Sequence, residues 1–508
     1  MGDSGGHRPP GKSPRRLLAL VLGPALFSLF LLLPAPRGLG PAGMRVAGVA
    51  LWMVSWWIGE VIPLAATALL PLVLFPLLGV MGSKQVAPYY ADHNIFLFLG
   101  GFLIALGIER WGLHRRLALL SLRLFGRRVG PGSWEAGQRR LVLVFMVVTA
   151  LLSMWVSNTA TTLMILPIAT AVLHGREAGA ERSRLDRALL LGVAYAASIG
   201  GLGTLIGTPP NIVLAGQVSE LVHPGASIGF GQWMLMGIPL VAVMLPLAWW
   251  YLVGFAVRLP AGAPPVRLDL QAAGGAPGPL SRGEKTVLAV FALTALGWCL
   301  RKPFIAPWFP GVTDASLAVG GALLLFVIPV DWAAGVFALD WKQAERVPWG
   351  VLLLFGGGFA LAAGMQQSGL AHWLSLQLGG LSGLPLPLLL LLVALLMAGL
   401  TELASNTAIT TTMLPILAPA ARALGLHPLT LMVPATLAAS CAFMLPAATP
   451  PNAIVFGTGR IRLPEMFRVG LGLEIIGALV ITLLVWALAG PVFGSLPVAP
   501  VDFLGGLR

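Results

Sequence analysis

Ser157-Asn158-Thr159-Ala160 and Ser405-Asn406-Thr407-Ala408 stand in the middle of two apolar runs, 141–173 and 386–421. Pro167 and Pro415 follow the two serines at the same distance. Further along come Gly207-Thr208-Pro209-Pro210-Asn211 and Ala448-Thr449-Pro450-Pro451-Asn452, again a matched pair. Hydroxyl- and amide-rich, helix-breaking segments of this kind lie at membrane depth only where they line a cavity or are buried in protein. The four segments read as one site.

The chain around them has the composition of a membrane protein. Its 508 residues are 57% hydrophobic and 10% charged, and apolar runs of about 20 residues, enough to cross the bilayer core, recur along its length. The net charge of +13 is no nucleic-acid signal, because most Lys and Arg fall in the segments 1–16, 110–140, 174–187, 258–285, 331–348 and 457–470. These alternate with nearly uncharged loops, the positive-inside pattern of a multi-span protein. Cys299 and Cys441 both lie in apolar runs and form neither a disulfide framework nor a metal spacing. Arg15 and Arg16 precede the apolar run 17–33 as in a signal peptide, but no small-x-small cleavage site stands out, so a retained first span is expected.

Charge placement threads the spans as 17–33, 44–59, 61–80, 93–109, 188–216, 232–257, 286–300, 313–330, 349–367, 428–456 and 470–494. The run 141–173 is too long for one span and too short for two, with basic residues on both flanks. It is expected to be a re-entrant hairpin entering from the cytoplasm, with 386–421 its counterpart entering from outside. Arg115 to Gly126 is expected to be an amphipathic helix on the inner surface. The expectation is an all-α polytopic membrane protein of about eleven transmembrane helices plus two hairpins. It lies in the plasma membrane with a cytoplasmic N-terminus and an external C-terminus. Its parts are a cytoplasmic tail 1–16, a group of helices in 17–92, a first repeat 93–257 and a linker 258–285. Further helices and a cytoplasmic loop in 286–348, a second repeat 349–494 and an external tail 495–508 complete it.

The two repeats carry the same signals in the same order. Gly101-Phe102 through Gly112-Leu113 matches Gly358-Phe359 through Gly369-Leu370, and the Ser-Asn-Thr and Thr-Pro-Pro-Asn motifs follow in each. The first copy starts outside and the second inside. Inverted repeats with broken helices and a site where they meet are the signature of secondary transporters, and they serve alternating access rather than a passive channel.

At each break one helix ends in carbonyls, which suit a cation, and another begins in free N–H groups, which suit an anion. Ser, Thr and Asn oxygens coordinate a hard cation, and the same side chains donate to a carboxylate. The runs 141–173, 188–216 and 428–456 hold no charged side chain and 386–421 holds only Glu402. A multiply charged anion bound here has no arginine clamp and needs co-bound cations. Glu402 is either functional or a brace for its loop. Gly356-Gly357-Gly358 and Gly200-Gly201 read as close-packing points, not phosphate loops. The histidines, among them His93, His223, His372 and His427, lie near span ends. An intramembrane enzyme is excluded because no His or Asp accompanies Ser157 or Ser405.

The paired Ser-Asn-Thr and Thr-Pro-Pro-Asn motifs in inverted hairpins and broken helices resemble the divalent anion:sodium symporter family of dicarboxylate transporters, over residues 45 to 494 or so. That resemblance implies a homodimer with an elevator mechanism, in which a transport domain holding both hairpins slides against a scaffold of the helices in 17–92 and 286–348. It implies one sodium site at Ser153, Ser157, Asn158 and Gly207 and another at Thr401, Ala404, Asn406 and Ala448. Substrate carboxylates would meet Ser157, Asn158, Thr159, Ser405, Asn406 and Thr407, with Thr208, Thr449 and Pro450 nearby. The expected function is sodium-coupled import of succinate, fumarate and malate, with two or more co-transported Na+ and no organic cofactor. The competing readings on the same fold are a sodium-independent dicarboxylate exchanger and a citrate or sulfate carrier.

Overall fold

A computed structural model describes residues 14–113, 116, 120, 127–130, 133–173, 180–223, 226–260, 266–269, 278–377 and 384–494. The expected surface helix at 115–126 falls almost wholly outside them, as do both tails apart from Pro14 to Arg16.

The described chain is mostly helical, with two small antiparallel sheets. Arg127–Gly130, Ser133–Ala136 and Val266–Asp269 form one, and Pro329–Asp331 and Val336–Phe337 the other. Five helices among the described residues are long and apolar enough to cross a bilayer: Ser83–Arg110, Phe230–Ala256, Arg282–Ile305, Trp349–Gln367 and Leu463–Phe493. Other apolar helices are shorter. The run 61–80 divides into Leu64–Thr67 and Leu70–Leu77, where Pro71 has no N–H to continue the first helix into the second.

Each repeat contributes the same elements in the same order. A glycine-rich helix comes first, His93–Arg110 or Trp349–Gln367. A helical hairpin follows, Gln138–Ser153 with Asn158–Leu173, or Leu386–Thr401 with Asn406–Ala423. A broken helix is next, Ala180–Gly201 with Pro209–Leu221, or Leu429–Ala439 with Pro450–Phe456. A long helix ends each, Phe230–Trp250 or Leu463–Phe493. The glycine clusters are close-packing points, as read from the sequence. A Cβ on Gly200 would stand 2.3 Å from Ala150 O, and one on Gly357 2.3 Å from Ala68 O, so backbone touches backbone at both.

The repeats interlock. The second helix of the first hairpin packs on Pro450–Phe456, and that of the second hairpin packs on Pro209–Leu221. Each hairpin therefore meets the far half of the other repeat's broken helix, which draws all four motifs into one region. Pro415 fastens this crossing. Having no N–H, it frees the carbonyl of Thr411 four residues back, and Gln217 Nε2 of the opposite repeat donates to that carbonyl at 3.3 Å.

The basic segments are tied to one another. Arg110 pairs with Asp340 at 2.7 Å, Arg346 with Glu109 at 2.5 Å and Arg116 with Glu284 at 2.6 Å. Arg460 pairs with Asp186 at 3.2 Å, and Arg187 with Glu465. Within the segment read as a linker, Val266–Asp269 is a strand paired with Ser133–Ala136, and Leu259 O accepts from Arg139 Nε at 2.9 Å.

Candidate functional site

The breaks are built from local chemistry. Thr208 and Thr449 are extended, at φ −143° ψ 142° and φ −137° ψ 147°, and the Pro-Pro pair after each begins a new helix. Proline suits that position because the first helical residues have no intrahelical acceptor for an N–H. The asparagine that closes each motif then holds the break shut. Asn211 Nδ2 donates to Gly201 O at 3.0 Å and Thr204 O at 2.7 Å. Asn452 Nδ2 donates to Ala442 O at 3.2 Å and Leu445 O at 3.1 Å. The two networks are copies of each other, residue for residue.

The hairpin turns sit against these breaks. In the first repeat Ser153 Oγ donates to Ala197 O at 2.7 Å. The outer end of the Asn158 amide lies 2.7 Å from Ser153 Oγ, 3.1 Å from Ala197 O and 3.2 Å from Gly207 O. With its NH2 turned inward Asn158 donates to all three. With its oxygen turned inward it joins a cluster of oxygens, the donor set of a hard cation. In the second repeat Thr401 Oγ1 donates to Ala439 O at 2.9 Å and meets the Asn406 side-chain oxygen. Ser153, Asn158 and Gly207 are thus brought together, as are Thr401 and Asn406. Ala404 and Ala448 are buried on the same turn and break.

Around them, Ser157 is exposed at the first hairpin tip, and its Oγ accepts from Ala160 N at 3.3 Å. Ser405 is half-buried and caps its helix without a side-chain hydrogen bond, leaving its hydroxyl available. Thr159 is half-buried, Thr407 buried and Pro450 exposed. Thr208 Oγ1 lies 3.3 Å from Ser440 Oγ, a direct link between the two breaks. Thr449 Oγ1 accepts from Asn452 N at 3.4 Å. Asn211 Oδ1 and Asn452 Oδ1 are buried and have no hydrogen-bond partner among the described residues, an unsatisfied acceptor at the same place in each repeat.

The breaks differ in charge. Glu402, 4% exposed, accepts from Met444 N at 2.7 Å and Leu445 N at 2.8 Å. Glu474, also 4% exposed, accepts from Phe443 N at 3.2 Å, and its carboxyl interacts with that of Glu402. Three successive backbone N–H groups of the second break are therefore held by two buried acids. In the first repeat the position of Glu402 is taken by Met154, whose carbonyl accepts from Thr204 Oγ1. Glu402 thus braces the break of the second broken helix, not the loop of its own hairpin, which was one of the two sequence readings. Glu474 was missed, although a single acid in the apolar run 470–494 was the signal for it. The second break is thus met by a second buried carboxyl group, that of Glu474 on the helix Leu463–Phe493.

The first hairpin tip also carries an aromatic latch. Trp155 packs against Phe230, Trp298 and Phe291, with ring centroids 5.9, 6.5 and 4.9 Å apart.

Comparison with known proteins places the whole chain. A family model described as the sodium:sulfate symporter transmembrane region matches residues 15–496. A protein named sodium-dependent dicarboxylate transporter SdcS, from Staphylococcus saprophyticus, is 43% identical over 494 residues, covering 94% of this chain and 92% of that protein. Its Staphylococcus aureus namesake is 42% identical with the same coverage. Among solved structures, the YdaH transporter of Alcanivorax borkumensis aligns over 94% of this chain and 97% of its own, with a TM-score of 0.55 at 17% identity. MtrF of Neisseria gonorrhoeae aligns over 95% and 96%, with a TM-score of 0.56 at 13% identity. At those identities the likeness is one of fold.

Proposed function

This chain belongs to the sodium:sulfate symporter family, and on that premise we propose that it is a sodium-coupled symporter importing C4 dicarboxylates such as succinate, fumarate and malate. It is a multi-pass membrane transporter and not an enzyme. The observation that carries the reading is the pair of helix starts at Asn158 and Asn406, each beside an oxygen-lined break and drawn together by the interlocked repeats.

One sodium ion is held by Ser153, Ser157, Asn158 and Gly207, and a second by Thr401, Ala404, Asn406 and Ala448. Ala197 O and Ala439 O are further oxygens within reach of the two clusters. The substrate carboxylates lie at the N-termini of Asn158–Leu173 and Asn406–Ala423, where free N–H groups and the positive helix ends favour negative charge. Ser157, Thr159, Ser405 and Thr407 donate to them, with Thr208, Thr449 and Pro450 at the edge. Without an arginine at either tip, the co-bound cations supply the charge that makes a dianion stable there, which is the physical basis of coupling.

In the membrane the chain has about eleven spans and two re-entrant hairpins in inverted repeats. It forms a homodimer and works as an elevator. The hairpins, broken helices and the helices Phe230–Trp250 and Leu463–Phe493 move as the transport domain. The helices before residue 93 and those of 286–348 stay as scaffold. Succinate uptake into proteoliposomes, with and without an inward sodium gradient, tests the reading. Accumulation that collapses when choline replaces sodium supports symport. Unchanged uptake in choline would leave exchange as the mechanism, and a preference for citrate or sulfate would move the substrate class.

A further inference from the structure

We propose that the basic end of the helix Leu463–Phe493 is a binding site for an anionic phospholipid. The site is independent of the sodium and substrate sites and rests on the chain spanning a membrane with its basic segments on the cytoplasmic side.

A cavity of about 660 Å³ is lined by Arg187, Arg460, Arg462, Arg468, Pro464 and Glu465. Two of its arginines are committed, Arg460 to Asp186 and Arg187 to Glu465. Arg462 and Arg468 are both exposed and have no ion pair among the described residues. Arg468 also lines an adjoining cavity of about 410 Å³ with Arg258, Tyr251 and Phe255. The two spaces share one arginine and open side by side. Together they hold three guanidinium groups outside the internal pairs, a forked donor set that matches phosphate oxygens.

What marks the occupant as a lipid is the surface that leads away from these cavities. Leu463, Phe467, Leu471, Ile475, Leu479 and Leu483 are each between 41% and 61% exposed. Spaced four apart, they form one apolar ridge that starts beside the arginines and winds about halfway around the helix over its length. A free anion would fill the cavity and leave this ridge irrelevant. A phospholipid uses both, its phosphate between Arg462 and Arg468 and its acyl chain along the ridge. The placement suits the charge of the leaflet as well. Basic segments face the cytoplasm, whose leaflet carries the anionic lipids that such juxtamembrane arginines attract.

Native mass spectrometry of the purified transporter, equilibrated with phosphatidylglycerol or phosphatidylcholine, tests the site. The wild type is expected to retain phosphatidylglycerol in preference to phosphatidylcholine. Arg462→Gln with Arg468→Gln is expected to lower that affinity about twenty-five-fold, from roughly fivefold per arginine. Unchanged melting temperature and unchanged uptake in pure phosphatidylcholine vesicles show that the double variant is folded. Equal retention by wild type and variant overturns the proposal. So does displacement of the lipid by inorganic phosphate alone, which would make this a site for a free anion. Leu471→Glu, which places a charge on the ridge and leaves the arginines intact, is expected to weaken lipid retention. If it does not, the acyl chain lies elsewhere and the lipid assignment falls.

Discussion

Gly207→Ala is the sharpest probe of the first cation site. A Cβ at Gly207 would stand 2.5 Å from Gly201 O, 2.9 Å from Gly201 Cα and 3.0 Å from the Gly201 carbonyl carbon. All three are backbone atoms, so no side chain can rotate away. The break must open by about 0.5 Å to restore even a tight contact, and overpacking of this kind costs about 1–3 kcal/mol. The strain falls on the proposed cation site, because Gly201 O is held by Asn211 and Gly207 O lies 3.2 Å from the Asn158 amide. Converted at 1.4 kcal/mol per tenfold, it raises the sodium concentration for half-maximal uptake by roughly fivefold to 150-fold. The second repeat supplies the control, since it already has alanine at this position. Ala448→Gly should change stability by only about 0.4–1 kcal/mol and move sodium activation less than Gly207→Ala does. The assay is a sodium titration of succinate uptake in proteoliposomes, with melting temperature measured alongside. A Gly207→Ala protein with wild-type sodium activation would refute the placement of that carbonyl at a cation site.

Other perturbations separate the parts. Asn158→Ala and Asn406→Ala should each abolish uptake while leaving expression intact, and wild-type-like uptake in either would count against the site. Glu402→Gln replaces with an NH2 one of the two oxygens that accept from the Met444 and Leu445 N–H groups, and a buried donor left unsatisfied costs about 1–3 kcal/mol. Sodium activation should weaken by about fivefold or more in a protein that still folds, whereas Glu474→Gln, which alters the single longer bond to Phe443 N, should do less. A sodium titration that ranks them the other way would make Glu474 the main brace. Trp155→Ala should lower the melting temperature of the purified transporter. The loss should lie near the lower edge of the roughly 3–5 kcal/mol seen for buried aromatic truncations, because the ring is half-buried. An unchanged melting temperature would mean that the hairpin tip does not rest on that stack.

Much of this molecule is legible in its sequence, because the features concerned are set by side-chain type along the chain. Apolar runs report what can be buried in lipid, and the Pro-Pro pairs must end a helix because they lack N–H groups. The repeated order of Ser-Asn-Thr and Thr-Pro-Pro-Asn identifies two copies of one unit. The hairpin turns and helix breaks fall where those residues put them.

What the tertiary structure decided lies in backbone atoms and in long-range pairing. Ala197 O, Ala439 O, Gly201 O and Ala442 O accept hydrogen bonds from Ser153, Thr401, Asn211 and Asn452 through carbonyls that every residue type possesses, so no pattern of side chains singles them out. Glu474 reads as one acid in an apolar run until helix packing sets it against Glu402 and the second break. The approach of Thr208 to Ser440 depends on how the repeats interlock. Side-chain chemistry wrote the two Ser-Asn-Thr turns into the sequence, and only the crossing of the repeats determined which oxygens stand around them.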